Sequence, residues 1–175
     1  MSGWRAARRA GLAAGVALVG LLLAAPEAGV IAFWDVVVPL LPAWVAIAPG
    51  AWRNVCPLAS VAALPERFGR SRAQALAPAA RGRLALASVL ALLAVTPLRH
   101  VCFDTDGRAT AALLIGAGLA ALAAGWLFER RGAWCAGLCP VHPVERLYGA
   151  APALTVANAR CGDCARCALP CPDWT

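Results

Sequence analysis

The sequence predicts an all-α membrane protein, with about four transmembrane helices followed by a small cysteine-rich C-terminal region. Three observations predict it. The chain is 61% hydrophobic and only 14% charged, against ~25% charged in soluble domains, and its mean hydropathy is +0.69. Its apolar residues gather into runs at about 11–25, 30–48, 84–98 and 109–128, near the length a bilayer-crossing helix needs. Its sixteen basic residues are all arginine and sit at the ends of those runs rather than on an amphipathic face. The net charge of +7 is therefore a topology signal, and nothing marks a nucleic-acid reader. Residues 1–131 form the expected membrane domain and 132–175 the cysteine-bearing segment.

The first run follows Arg5, Arg8 and Arg9 and ends at Pro26-Glu27. It suits either a signal anchor or the core of a cleaved signal peptide. The second run contains Pro39 and Pro42 and carries Asp35 beside Trp34. Neighbouring groups in a bundle can satisfy the carbonyls that prolines free. Asp35 reads as an interfacial cap reaching water, or as a proton acceptor beside a quinol site, because acids within membranes often mark proton paths.

Residues 49–83 read as a loop with six arginines (53, 67, 70, 72, 81 and 83) against one acid, Glu66. That excess places it in the cytoplasm. The third run leads to a short, nearly neutral stretch, 99–108, expected on the opposite side. Within it Asp104-Thr-Asp106-Gly107 reads as a turn, because the later ligands of a calcium loop are missing. His100 and Cys102 read as a capped helix end with a buried thiol, or as an outward redox or metal contact. The fourth run contains Gly116, Gly118 and Gly125, small residues that let membrane helices approach closely. Trp34, Trp44, Trp52, Trp126 and Trp134 fall near run ends, as an aromatic belt would.

The chemistry lies in the cysteines. The chain ends in Cys161-x2-Cys164-x2-Cys167-x3-Cys171-Pro172, the bacterial ferredoxin pattern for a [4Fe–4S] cluster. Three thiolates on a tightly curling loop can occupy three iron corners, and small Gly162 and Ala165 let the backbone wrap close. A zinc site would more often pair two C-x2-C knuckles across a longer loop. The fourth corner must come from elsewhere, since the cysteine before proline serves a second cluster in two-cluster ferredoxins. Cys135-x3-Cys139-Pro140 and the single Cys56-Pro57 are the sources at hand. Seven of the eight cysteines lie in such settings, which favours reduced thiolates binding metal on a cytoplasmic face over disulfides.

With Cys56-Pro57, Cys135-x3-Cys139-Pro140 and the terminal run in this order, the chain resembles the four-helix membrane ferredoxins. These include the integral-membrane subunit tied to periplasmic nitrate reductase and the membrane part of the nitrous-oxide-reductase regulator. The resemblance implies four membrane helices, both termini in the cytoplasm of a bacterial inner membrane, and two C-x3-C-P elements on the inner face. It implies electron transfer between quinone or a cytoplasmic donor and a redox partner within a respiratory complex. Cys135 and Cys139 match one C-x3-C-P element, and Cys56 matches the second cysteine of the other, whose first would fall at Trp52.

Ligand counting leaves one or two clusters open. Cys56, Cys135, Cys139 and Cys171 can complete one, and Cys161, Cys164 and Cys167 a second whose last corner falls to His142, Asp163 or Asp173. Alternatively, a single cluster takes Cys139 or Cys171 as its fourth ligand. No nucleophile–base pair or phosphate loop is evident, and His100 and His142 lie on opposite faces, which argues against a bis-His haem. The alternative to electron transfer is a non-redox membrane scaffold or metal-dependent assembly factor.

Overall fold

A computed structural model of the chain describes residues 2–128 and 133–154. The described residues are helical almost throughout, and four of the helices are long and apolar enough to cross a membrane: Trp4–Ala24, Pro26–Ile47, Pro78–Phe103 and Gly107–Leu127. The protein is a multi-pass membrane protein.

Helix α1, Ser2–Ala24, takes Arg5, Arg8 and Arg9 into its first turns, as good helix formers allow. Pro26 then opens the second span, which runs as α2 (Pro26–Val30), a π segment (Ile31–Val37) and α3 (Val38–Ile47). The π segment has an identifiable cause. Pro39 lacks an N–H, and its ring crowds the carbonyl four residues back, at Asp35. The chain widens instead, and the Val38 amide bonds the Phe33 carbonyl five back.

Residues 49–67 are not a plain loop. They form α4 (Pro49–Val55), α5 (Pro57–Ala62) and α6 (Leu64–Arg67), each with proline in its first turn. Of the loop's six arginines only Arg53 and the terminal Arg67 fall in this stretch, so most of it is apolar enough to enter the bundle. The third span also starts earlier than its apolar run: α7 covers Pro78–Leu98 with Arg81 and Arg83 in its first turns, and a π segment, Arg99–Phe103, follows Pro97. Helix α8, Gly107–Leu127, is capped by Asp106, whose carboxylate accepts the Arg108 amide at 2.8 Å. The Asp104–Gly107 stretch is thus a turn and cap. After α8, the chain forms a π segment (Trp134–Leu138) and α9 (Val141–Tyr148).

Two apolar clusters hold the bundle. One comprises Leu22, Val30, Trp34 and Ala111, the other Ala62, Ala121, Trp134 and Cys139. Trp34 and Trp134 are each 4% exposed, so they belong to the core and not to an aromatic belt. The Trp34 indole donates to Thr110 Oγ1 at 3.1 Å, and that hydroxyl donates to the Phe103 carbonyl at 2.9 Å. Buried indole N–H groups require such a partner. Trp44 and Trp126 face outward, as belt residues would. Of Gly116, Gly118 and Gly125, only Gly125 meets a neighbour; a Cβ on Gly116 or Gly118 would meet nothing within 4 Å.

Candidate functional site

Two hairpins turn back inside the bundle, each with Cys-Pro at its tip. In the first, α4 leads to Cys56-Pro57 and α5 leads away. A Cβ on Gly15 of α1 would meet Pro57 at 2.8 Å, which sets this tip about 16 Å along the span that begins at Trp4. In the second, the segment Trp134–Leu138 leads to Cys139-Pro140 and α9 leads away. Here Ser88 of α7 donates to the Cys139 carbonyl at 2.7 Å, about 15 Å past Pro78. Both tips therefore lie alongside the spans rather than beyond their ends. Broken helices are tolerated there only where protein or a cavity covers them, and they commonly mark binding sites.

The tips border one cavity of about 620 Å³, whose wall includes Cys56, Cys135, Cys139 and His142 along with Phe33 and Trp34 at the far end. The volume lies within the ~300–1,000 Å³ of small-molecule sites. It lies among all four spans, lined by Leu18 of α1, Leu41 and Pro42 of α3, Leu92 and Val95 of α7 and Leu114 of α8. Its polar side chains gather at the cysteine end. Arg53 Nε donates to Glu145 Oε1, joining α4 to α9, with the two side chains 17% and 10% exposed.

Burial is the main reason the Cys139 thiol is pushed up to about 12, and the neighbouring Cys56 adds to it; the Val141 and His142 amides at the start of α9 pull the other way. The bare thiol thus keeps its proton at neutral pH, and a bound metal would displace it. His142 is held below the usual imidazole range by burial and by Arg146 and Arg53, so its ring is neutral and can offer a lone pair.

The sulfurs of Cys56, Cys135 and Cys139 suit a soft metal or an iron–sulfur cluster. Among the described residues no group of three or more His, Cys, Asp or Glu side chains closes a metal site on its own, so these cysteines can supply only part of a ligand set. Cys161, Cys164, Cys167 and Cys171, with Asp163 and Asp173, lie outside the described residues. The described chain reaches them from the end of the second span: Leu154 N–H bonds the Ile47 carbonyl at 2.7 Å.

The opposite end of the bundle holds the other candidates. Asp35 is an exposed carboxylate paired with Arg99 at 3.2 Å, and it does not line the cavity. It behaves as the water-reaching cap. Arg99 also pairs with Asp104 and lies 5.2 Å over the Trp34 ring. His100 is 74% exposed beside Asp104. Cys102 is exposed and not the buried thiol that one reading gave. Among Cys56, Cys102, Cys135 and Cys139 we expect Cys102 to react first with a maleimide and Cys139 last in folded protein; similar rates at both positions would contradict these burials.

Reasoning from sequence missed Arg53–Glu145, because the pair is 92 residues apart. It missed Ser88, an ordinary serine in an apolar run. It also missed Asn54, 1% exposed with neither side-chain amide atom hydrogen-bonded, an arrangement that costs about 1–3 kcal/mol. No family model, curated protein or solved structure matches this chain.

Proposed function

We propose that the chain is a membrane iron–sulfur electron-transfer protein of the bacterial inner membrane, relaying electrons between the quinone pool or a cytoplasmic donor and a protein redox partner. The observation that carries this reading is the Cys161–Cys171 ferredoxin run on a bundle whose two Cys-Pro tips border one apolar cavity. A [4Fe–4S] cluster, when bound, supplies one-electron chemistry whose potential is set by burial and hydrogen bonding. Cys161, Cys164 and Cys167 hold three corners of a cluster. Cys171, Cys139, Cys135 and Cys56 supply the remaining ligands, for one cluster or two. The cavity lined by Cys56, Cys135 and Cys139 is apolar enough for a quinone, with the Arg53–Glu145 pair at its polar end. The arginine-rich stretch 67–83 and both termini lie in the cytoplasm, which puts Cys102 on the outer side.

Anaerobic purification tests this directly. We expect iron and acid-labile sulfide in equal amounts and an EPR signal on dithionite reduction. Bound zinc with no reducible signal would instead establish the metal-organised scaffold.

A further inference from the structure

The two Cys-Pro tips are built alike. Ala51-Trp52 precedes Cys56-Pro57 by the same path as Ala133-Trp134 precedes Cys139-Pro140, except that the second path is one residue longer. The structure absorbs that residue in a π turn. Cys56 N–H bonds the Trp52 carbonyl, four back, at 2.8 Å, and Cys139 N–H bonds the Trp134 carbonyl, five back, at 2.9 Å. Both cysteines then take the extended backbone that a following proline imposes: φ −48°, ψ 123° at Cys56 and φ −64°, ψ 119° at Cys139.

The packing repeats as well. Each half contributes a span out, a span back and a hairpin with Cys-Pro at its tip. The first hairpin's α5 packs on α1 and α8; the second hairpin's α9 packs on α7 and α3. Exchanging the first span for the third and the second for the fourth turns one set of contacts into the other. The lead-in elements obey the same exchange: α4 packs on α1 and α3, and the segment Trp134–Leu138 packs on α7 and α8. The symmetry is imperfect. Helix α1 packs against α8, whereas the corresponding α7 and α3 do not pack closely, and α6 has no counterpart among the described residues of the second half.

We infer that the chain is an internal duplication about a pseudo-twofold axis along the bundle, and that Cys56 and Cys139 are equivalent ligands of one thiophilic metal centre on that axis. The duplication stands on backbone geometry alone; the ligand role deepens the iron–sulfur reading and rests on its view of these cysteines. Two thiolates in an apolar cavity need a compensating cation, and thiolates select soft metals. Cys56 and Cys139 both line that cavity. Cys135 has no cysteine counterpart in the first half, where Arg53 follows the tryptophan, so it falls outside the symmetric pair.

The test uses the full chain. Reduced, chelator-stripped wild-type protein treated to completion with a short bifunctional thiol reagent is expected to yield a Cys56–Cys139 linked peptide as the main product among Cys56, Cys135 and Cys139, with the Cys139 end reacting last. A main product joining Cys56 to Cys135, or none involving Cys56, overturns the pairing. In full-length protein with Cys161, Cys164, Cys167 and Cys171 all changed to Ser, one Cd2+ should bind per chain. Its affinity should fall by more than about tenfold in Cys56→Ser and Cys139→Ser alike, and far less in Cys135→Ser. Unequal losses at Cys56 and Cys139 overturn their equivalence. Cross-linking and Cd2+ binding without iron in the native protein would leave the pair standing and sink the electron-transfer reading.

Discussion

Alanine at Gly125 is expected to unseat the first hairpin and disrupt the site. A Cβ there would overlap the Ala62 carbonyl oxygen and lie 2.8 Å from its carbon. Both are backbone atoms, so no rotamer change relieves the clash and α5 must move off α8. Overpacking commonly costs about 1–3 kcal/mol, and a rigid backbone neighbour places this case at the upper end. The shift reaches Cys56, because α5 begins at the residue after it. Gly118→Ala is the control. Its Cβ meets nothing within 4 Å, and alanine favours the helix by about 1 kcal/mol. Melting in detergent should drop sharply for Gly125→Ala and hold or rise for Gly118→Ala, while the Cys139 thiol becomes reactive only in the former. Equal melting of the two variants would show that the hairpin is not seated as described.

The second large effect concerns Arg53 and Glu145, which tie the two hairpins together across the cavity's polar end. Both side chains are mostly buried. Removing one partner of a buried pair costs about 3–5 kcal/mol, because the remaining charge stays out of water, whereas replacing both with apolar groups is often neutral. Arg53→Met should therefore destabilise strongly, and Arg53→Met combined with Glu145→Leu should recover most of the loss. A double variant as unstable as the sum of the singles would mean that the two side chains do not act as a pair. Metal content of the stable double variant then separates holding the hairpins from tuning the site: unchanged loading assigns the pair to structure.

Much of this protein is local information. Four apolar runs flanked by arginine are sufficient for four membrane helices, because lipid requires each span to satisfy its own backbone and to face outward with apolar groups. The prolines at 49, 57, 65 and 78 mark helix starts by the same local logic, since a residue without an N–H is best tolerated in a first turn. The cysteine spacing is local in the same way, and the cluster chemistry expected from it rests on the terminal run, outside the described residues. Tertiary structure decided what those signals do together. That Cys56 and Cys139 border one cavity depends on α5 lying against α8 at Gly125 and on α9 lying against α3 and α7, contacts between residues far apart in sequence. Trp34 and Trp134 belong to the core because Thr110 and the α5–α8 packing enclose them, which no reading of run ends could supply. The sequence pairs Cys56 with Cys139 and sets Trp52 against Cys135; the hydrogen bond from Cys139 back to Trp134 instead brings Trp52 into register with Trp134, because a helix can widen locally to keep both its ends in place.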